Sequence, residues 1–253
     1  MKLQEKTCLI TGAGSGIGRS TALRFASEGA NVYLVGRTLS KVEAVCGEIE
    51  EAGGNAAAFC VDVADREGVF GVVKGIEGER GAVDVLVNNA GHSSPHRRLL
   101  STPPEDIASV VDSNLIGTIY CAQAVMPAML ERDSGTIINV SSLAGVTPGL
   151  LGGMIYSAVK AAVINFTGHL NEEFKSTNVR ASVVIPGEIT TPLLDKRPVP
   201  PSADARRTMA GPDDVAEAIA LIAGLPQNSS IPELVIRPTY QRDVSVDLND
   251  AWV

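Results

Sequence analysis

Aromatic residues are scarce in this chain of 253 residues: tryptophan, tyrosine and phenylalanine together make up 4% of it. So few aromatic side chains give no sign of a cleft that stacks on a steroid or another large flat ring. Cysteine is also rare, and the four cysteines have none of the short paired spacings that metal sites and redox motifs need. We therefore expect no metal site, and we expect buried thiols in a reducing compartment at Cys8, Cys46, Cys60 and Cys121.

Basic residues are outnumbered, with 21 lysines and arginines against 29 acidic residues and a net charge of −8. This deficit of positive charge argues against nucleic acid or an anionic membrane as a partner. The first six residues, Met-Lys-Leu-Gln-Glu-Lys, carry charge where a secretory signal needs an apolar stretch, so we expect a cytoplasmic protein. The longest uncharged stretch, 134–159, is long enough to span a bilayer, but its glycines and polar residues favour a strand, a loop and a helix start.

Hydrophobic runs of strand length alternate with amphipathic segments of helix length along the chain. The runs lack a two-residue period, which favours strands buried on both faces of a parallel sheet. Seven runs are strand candidates: 7–10, 32–35, 57–61, 83–87, 136–140, 181–185 and 234–236. The alternation predicts an α/β fold over residues 1–253: a single-domain, Rossmann-type, doubly wound parallel sheet of seven strands with helices on both faces.

Local signals predict where several helices begin. Ser40 with Glu43, and Thr102 with Glu105, fit the capping box, in which a hydroxyl and a carboxylate bond the free amides of the first helical turn. Pro212 is followed by two aspartates, and proline then acid is typical of a helix N-terminus.

A glycine-rich turn, Thr-Gly-Ala-Gly-Ser-Gly-Ile-Gly over residues 11–18, follows the first strand candidate. Small residues let the backbone amides approach a pyrophosphate, and the N-terminus of the next helix directs positive charge at it. Such a turn is also common as a purely structural element, but its position between the first strand and the first helix is the context that dinucleotide binding requires. We predict cofactor contacts at Gly12, Ser15, Gly16, Ile17 and Gly18.

The spacing of this turn, threonine then Gly-x3-Gly-x-Gly, resembles the short-chain dehydrogenase/reductase family. The resemblance extends from about residue 6 to 238 through further motifs in the family's order: Asp62, Asn-Asn-Ala-Gly at 88–91, Asn114, Ser141-Ser142, Tyr156-x3-Lys160 and Pro-Gly-Glu-Ile-Thr-Thr at 186–191. It implies an oxidoreductase that transfers hydride between a nicotinamide cofactor and a small carbonyl compound or secondary alcohol. The rival hypotheses are a non-catalytic nucleotide-sensing protein, which would lose the tyrosine or the lysine, and a related enzyme of isomerisation or elimination.

The resemblance also implies cofactor contacts beyond the turn. Asp62 and Val63 would hold the adenine, and Ile189 with Thr191 would hold the nicotinamide carboxamide. The alternatives are a helix cap for Asp62 and an ordinary strand-end turn for the Asn-Asn-Ala-Gly motif. The remaining implied contacts are Asn89, Ala90, Gly91, Pro186 and Gly187, together with Tyr156 and Lys160.

The end of the second strand candidate bears on the choice of cofactor. Enzymes specific for NAD(H) place an acid there to accept hydrogen bonds from the ribose, and that acid repels a 2′-phosphate. This chain has Val-Gly-Arg-Thr at 35–38, with no acid, and Arg37 offers a planar fork of donors to a phosphate. We therefore predict a preference for NADP(H), with NAD(H) as the alternative if Arg37 is only a solvated surface residue.

Tyr156 and Lys160 stand four residues apart, so on a helix they share one face. A free phenol has a pKa of about 10 and needs a nearby cation to act as a base at neutral pH. The resemblance implies that Tyr156 is the general acid/base, and that Lys160 binds the ribose hydroxyls and lowers the tyrosine pKa. It further implies that Ser142 hydrogen-bonds the substrate oxygen and that Asn114 holds a water of a proton relay. Of the adjacent Ser141 and Ser142, only one can face the cleft, and the family pattern favours the second.

Two loops are expected to set substrate preference: 92–100, and the long irregular stretch 190–211, which we predict to be a substrate lid. Their basic residues could attract a carboxylate or phosphate of the substrate, but solvated loop charge is the simpler interpretation. These residues are His96, Arg97, Arg98, Lys196, Arg197, Arg206 and Arg207. His92 is a second candidate for the pocket lining, and His169 is expected to be a packing or surface residue.

The long helical segments 102–131 and 156–175 correspond to the family's usual dimer face, so we expect a homodimer or homotetramer. The chain ends in a charged tail, 239–253, that closes on Trp252 and Val253. We expect this tail to dock on a second subunit.

Overall fold

The computed structural model describes residues 1–248. Its centre is one sheet of seven parallel strands in the order β3-β2-β1-β4-β5-β6-β7. The strands are β1 (Thr7–Thr11), β2 (Asn31–Gly36), β3 (Asn55–Cys60), β4 (Val85–Asn88), β5 (Gly135–Val140), β6 (Val179–Pro186) and β7 (Glu233–Ile236). The prediction of a doubly wound parallel sheet is confirmed, and each predicted strand lies within two residues of an observed one.

Helices cover both faces of the sheet. They are α1 (Gly16–Ser27), α2 (Leu39–Glu51), α3 (Arg66–Arg80), α4 (Pro104–Val111), α5 (Gly117–Glu131), α6 (Met154–Glu173), α7 (Ala203–Arg207) and α8 (Pro212–Ala223). A π-helical turn, Asp112–Ile116, joins α4 to α5. None of the helices in the described chain combines the length and the apolar character needed to cross a membrane.

Only one of the three predicted helix starts is correct. Helix α8 begins at Pro212, and Asp214 accepts a hydrogen bond from the Gly211 amide. The two predicted capping boxes are wrong. Helix α2 begins one residue before Ser40, and Thr102 lies outside α4, where its hydroxyl donates to loop carbonyls instead.

Two hydrophobic cores form because successive strand residues point to opposite faces of the sheet. Cys8 and Ile10 of β1 pack with α1, α2 and α8, whereas Leu9 between them packs with α3, α5 and α6 on the other side. Burial on both faces explains why the five inner strands read as continuous apolar runs rather than as alternating patterns.

A chain of buried polar side chains connects the middle of the sheet to α6. The Asn88 amide nitrogen donates to Asn139 Oδ1 at 2.9 Å, and the Asn139 amide nitrogen donates to Thr167 Oγ1 at 2.9 Å. The Thr167 hydroxyl in turn donates to the carbonyl of Val163 at 2.7 Å. These contacts tie β4, β5 and α6 together inside the core.

The stretch 190–211 is more regular than predicted. It contains a short 3-10 helix, Pro192–Lys196, and helix α7, and the Thr190 amide closes its base by donating to the Ala210 carbonyl at 2.9 Å. The tail folds back on its own chain as far as residue 248, because Arg242 bonds Glu188 at the end of β6. The predicted tail end, Trp252 and Val253, lies outside the described residues.

The expectation of four buried cysteines holds for Cys8, Cys46 and Cys121 and is wrong for Cys60. Burial raises the pKa of the Cys46 thiol to about 11 and that of Cys121 to about 12. Cys60 is exposed because it ends β3 at the edge strand of the sheet, where no further strand covers it.

Candidate active site

A cleft of about 690 Å³ opens at the carboxyl ends of the strands. It lies over the boundary between β1 and β4, where the strand order reverses, and this is where doubly wound sheets bind ligands. Every predicted catalytic and cofactor residue lines this cleft except Gly18, which is buried below it. The fold therefore brings together residues that lie up to 179 positions apart in the chain.

The glycine-rich turn forms the floor of the cleft. Gly12 has a φ of +64°, and a Cβ at this position would lie 2.8 Å from the Cα of Ala90. The Asn89 amide nitrogen donates to the carbonyls of Thr11 and Gly12 at 3.1 and 3.3 Å, and the Thr11 hydroxyl accepts from the Ala90 amide at 3.0 Å. Asn89 thus lines the cleft and at the same time fixes the turn.

The N-terminus of α1 faces the cleft and suits an anionic ligand. Ser15 occupies the N-cap position, and its hydroxyl makes no capping hydrogen bond within the described residues. The first turn, which the structure describes in full, carries no acidic side chain, so its amides and its dipole keep their positive character. This turn therefore fits the pyrophosphate of a dinucleotide.

Arg37 lies at the end of β2 on the rim of the cleft, with 57% of its side chain exposed. One of its guanidinium nitrogens is 3.9 Å from Asp62 Oδ2 on the neighbouring strand end. Asp62 is not a helix cap: the cap of α3 is Asp65, whose side chain accepts from the Gly68 amide at 3.1 Å. Lys41, in the first turn of α2, lines the same end of the cleft as Arg37.

Lys160 is buried beside Tyr156, with its Nζ 5.7 Å from the centre of the tyrosine ring. Its ammonium donates to the carbonyl of Val140 at 2.9 Å, which anchors it to the end of β5. Burial lowers the pKa of Lys160 to about 8. The lysine is therefore mostly cationic at neutral pH and loses its proton within the range where enzymes are assayed.

Ser142 contacts Tyr156, and Ser141 does not. The buried Ser141 hydroxyl donates to the Lys160 carbonyl at 2.7 Å, whereas Ser142 bonds the Tyr156 side chain and accepts from the Ala144 amide at 3.2 Å. Burial raises the pKa of Tyr156 above its ordinary value, and it outweighs the Ser142 hydrogen bond and two nearby positive charges. The tyrosine is therefore protonated at neutral pH in the protein alone.

Asn114 lies on the π-helical turn and not on a regular α-helix. Its amide nitrogen donates to the carbonyls of His92 and Val110 at 2.8 and 2.9 Å. Its Oδ1 is buried and has no hydrogen-bond partner among the described residues, and it points towards Gly91 and the Lys160 side chain. A buried acceptor in this position suits a bound water.

The interpretation of the loop charges as solvated is wrong for Arg97 and correct for its neighbour Arg98. Arg97 is 6% exposed and lines the cleft, whereas Arg98 is exposed. The positive charges that favour the phenolate of Tyr156 come from Arg97 and from Arg197 of the stretch 190–211. His92 also lines the cleft, with Ser109 and Ser113 on its two ring nitrogens at 3.0 and 2.9 Å, and His169 is exposed as expected.

The comparisons with known proteins agree with this geometry. A family model for the short chain dehydrogenases matches residues 6–199. The chain belongs to the short-chain dehydrogenase/reductase family. It is 37% identical over 232 residues to the 3-oxoacyl-[acyl-carrier-protein] reductase FabG of Thermotoga maritima, an alignment that covers 88% of this chain and 92% of that protein.

Solved structures of short-chain dehydrogenases show the same fold. The closed form of a serine dehydrogenase complexed with NADP+ superposes with a TM-score of 0.86 at 30% identity, covering 94% of this chain and 96% of that one. A metagenomic short-chain oxidoreductase in complex with NADP gives a TM-score of 0.82 at 32% identity, covering 95% and 100%. As a member of this family, the protein is an oxidoreductase.

Two residues of the short-chain dehydrogenase cleft escape sequence reasoning. Lys41 lies in the first turn of the helix that follows Arg37, and a second basic residue so soon after the strand end could have indicated it. Glu188 lies inside the Pro-Gly-Glu-Ile-Thr-Thr motif, but no local signal shows that it bonds Arg197 and Arg242.

Proposed function

We propose that the protein is an NADP(H)-dependent oxidoreductase that transfers hydride between the nicotinamide and a small carbonyl compound or secondary alcohol, with Tyr156 as the general acid/base. The observation that carries this proposal is the convergence of Tyr156, Ser142, Lys160 and Asn114 at one end of a cleft whose other end holds the glycine-rich turn. A nucleotide-sensing protein would need the glycine-rich turn but not these four side chains.

When bound, the cofactor supplies or accepts the hydride at its nicotinamide ring. The turn and the first amides of α1 would hold the pyrophosphate, and Arg37 with Lys41 would hold the 2′-phosphate. Asp62 and Val63 would contact the adenine. Ile189 and Thr191 line the opposite wall at the nicotinamide end, where the side chain of Thr191 approaches Gly16. NADP in two structural neighbours supports NADP(H) as a cofactor, and the preference over NAD(H) rests on Arg37 and Lys41.

Tyr156 would donate its proton to the carbonyl oxygen during reduction, and Ser142 would hold that oxygen. The raised pKa of Tyr156 keeps this proton in place at neutral pH, which suits the general acid. Oxidation of an alcohol needs the phenolate. Two nearby cations, Arg97 and Arg197, favour the phenolate. The Lys160 ammonium, 5.7 Å from the centre of the ring, would add to them.

Lys160 and Asn114 would exchange protons between Tyr156 and solvent: the relay would reprotonate the phenolate after reduction and carry a proton away after oxidation. The buried Oδ1 of Asn114 faces the Lys160 side chain across Gly91, which leaves a polar position for a water between them. Lys160, with a pKa of about 8, can pass a proton to such a water at neutral pH.

We also propose that residues 1–253 form a single domain, with 190–211 as the substrate lid, in a cytoplasmic homodimer or homotetramer. Helices α4, α5 and α6 supply the expected subunit face, and Ile107 of α4 is a large exposed hydrophobic residue there. Light scattering of the purified protein tests the assembly: a mass of one chain contradicts it.

The test of the proposed function is Tyr156→Phe. The variant keeps the ring and lacks the hydroxyl group that donates the proton. We therefore expect NADPH-dependent reduction of carbonyl compounds to fall by at least about 100-fold while NADPH affinity is retained. Tyr240→Phe, at an exposed position outside the cleft, is the matched control and should leave turnover unchanged. Retained turnover in Tyr156→Phe would contradict the mechanism, and a wild-type protein that binds NADPH without any turnover would favour the nucleotide sensor.

A further inference from the structure

The cleft gathers positive charge in a protein of net charge −8. Among the described residues that line it, seven are lysine or arginine and only two are acidic. Arg37 and Lys41 lie at the β2 end, and Lys160 lies on α6. The other four lie in the segments that follow β4, β6 and β7: Arg97, Lys196, Arg197 and Arg237.

Arg97 is fixed against the segment that leads into α6. Its Nη1 donates to the Gly152 carbonyl at 2.6 Å, and its own carbonyl accepts from the Met154 amide at 3.0 Å. A Cβ at position 153 would lie 2.6 Å from the Cδ of Arg97, so the glycine there leaves the arginine side chain its space. The guanidinium is therefore held within four residues of chain from Tyr156, in a buried position.

Arg197 reaches the same cavity from the stretch 190–211 and is also fixed. Its Nη1 lies 3.0 Å from Glu188 Oε1 and 3.9 Å from Asp247 Oδ2, and its side chain is 12% exposed. Arg242 bonds both of these acids from the tail. A network of four charged side chains thus orients Arg197 towards the catalytic end of the cleft.

Arg97 and Arg197 are close enough to act on each other and on Tyr156. Burial, and then the charge of Arg197, lowers the pKa of Arg97 to about 10. Both arginines favour the phenolate of Tyr156. Two like charges beside one cavity repel each other, and an anion between them removes that repulsion while it gains charge-assisted hydrogen bonds.

We propose that the substrate carries an anionic group, a carboxylate or a phosphate, near its reacting carbon, and that Arg97 binds this group with Arg197 on its other side. The inference rests on the proposed function, which assigns the phosphates of the cofactor to α1 and Arg37. It makes the substrate an oxo or hydroxy acid, or a phosphorylated ketone or alcohol, rather than a neutral carbonyl compound.

Matched substrates test the proposal in the wild-type enzyme. Short 2-, 3- and 4-oxo acids are compared with their methyl esters, and dihydroxyacetone phosphate is compared with dihydroxyacetone, by NADPH consumption. We expect one anionic series to exceed its neutral partner in kcat/KM by about 10- to 100-fold, the effect of charge-assisted hydrogen bonds, and the better series identifies the group. Neutral partners that react as well as the anions would overturn the proposal.

Arg97→Met is the matching variant, and Arg98→Met, which removes the same charge from the exposed neighbour, is its control. We expect Arg97→Met to lose the preference for the anion by about 10- to 100-fold, with NADPH affinity unchanged. Any loss of turnover that comes from removing the positive charge beside Tyr156 affects both partners equally and cancels in the ratio of their kcat/KM values. Arg98→Met should keep the wild-type ratio of kcat/KM between the anion and its neutral partner. An equal loss for both partners that leaves this ratio unchanged in Arg97→Met, or a parallel loss of NADPH affinity, would assign Arg97 to structure or to the cofactor.

A binding measurement covers the cases in which Arg97→Met does not fold or no carbonyl compound is reduced. Wild-type protein with NADPH is heated in the presence of propionate, inorganic phosphate or propionamide, and Arg97→Lys is treated in the same way. Stabilisation by an anion but not by the amide, reduced in Arg97→Lys, supports the subsite even if the proposed function fails. Equal melting temperatures in all three solutions would refute the subsite. They would not affect the proposed function, which Tyr156→Phe tests separately.

Discussion

A Cβ on Gly18 would lie 2.4 Å from the carbonyl oxygen of Gly12. This contact joins the first turn of α1 to the glycine-rich turn, backbone against backbone, so neither can move aside cheaply. Gly18 therefore lies below the cleft, where the absence of a side chain lets the helix approach the turn.

Gly18→Ala should push α1 away from the turn. We expect NADPH affinity to fall by at least about 10-fold and the free energy of unfolding to fall by about 1–3 kcal/mol, as for other overpacked sites. Gly47→Ala is the control: position 47 lies in α2 with open space around it, so alanine there should stabilise the protein by about 0.5–1 kcal/mol. Calorimetric titration and urea unfolding measure both quantities, and normal NADPH binding by Gly18→Ala would contradict the close packing.

Arg37→Leu should abolish the expected preference for NADPH. A charge-assisted hydrogen bond contributes about 1.5–3 kcal/mol, so we expect NADPH affinity to fall by about 10- to 100-fold while NADH affinity stays the same. NADH serves as the internal control because it has no 2′-phosphate. If the wild-type protein binds both cofactors equally, Arg37 is a solvated surface residue.

Lys160→Met should reveal the cost of burying an ammonium group. Burial lowers the pKa of Lys160 from 10.5 to about 8. Below pH 8 the folded protein therefore buries a charged ammonium, which lowers the free energy of unfolding by about 3 kcal/mol. Between about pH 8 and 10.5 the unfolded chain binds more protons than the folded one, and this group therefore makes wild-type stability rise with pH.

The measurement for Lys160 is urea unfolding of both proteins at pH 7, 9 and 10.5. The difference in unfolding free energy should shift in favour of the wild type as the pH rises. Lys175→Met, at an exposed position with an ordinary surface ion pair, should show a far smaller shift. A pH-independent difference for Lys160→Met would mean that the buried lysine keeps an ordinary pKa.

Arg242→Leu should destabilise the cluster that holds Arg197. The change leaves the buried Asp247 and the half-buried Glu188 with one guanidinium instead of two, and removal of one partner from a buried ion pair costs about 3 kcal/mol. Burial alone would raise the pKa of Glu188, but hydrogen bonds from Arg242 and Arg197 outweigh it and leave the pKa lowered.

The lowered pKa of Glu188 determines how the free energy of unfolding changes in acid. A lowered carboxyl pKa stabilises the fold above the ordinary carboxyl pKa, and this stability is lost as the pH falls through the lowered value. The difference between the wild type and Arg242→Leu should therefore be greatest near neutral pH and shrink in acid, as measured by urea unfolding. Arg237→Leu, on the exposed side of the same segment, should change stability little at any pH.

The sequence predicts the five inner strands of the sheet well because their burial on both faces leaves a plain signal in it. Every strand from β1 to β7 is an apolar run, and strand ends are where the predicted motifs lie. Helix starts are harder to predict, because a serine or threonine one or two positions away from the true N-cap fits the same pattern, as Thr102 and Ser40 show.

The charged residues of the site illustrate what sequence reasoning misses. Arg97 and Arg98 are adjacent, chemically identical and both in a loop, yet one is buried and the other exposed. The difference arises from contacts with residues 152–154, more than fifty positions away, and only tertiary packing determines them. Cys60 is exposed for a similar reason, because its strand is at the edge of the sheet.

The buried chain from Asn88 through Asn139 to Thr167 has a consequence for how accurately the cleft is built. Asn88 is followed directly by Asn89, which fixes the glycine-rich turn, and Thr167 lies on the helix that carries Tyr156. If α6 slid along the sheet by one residue, these amides would lose their partners in the core, at a cost of about 1–3 kcal/mol for each unsatisfied group. The core thus sets the alignment between the two ends of the cleft to within a hydrogen-bond length before any ligand arrives.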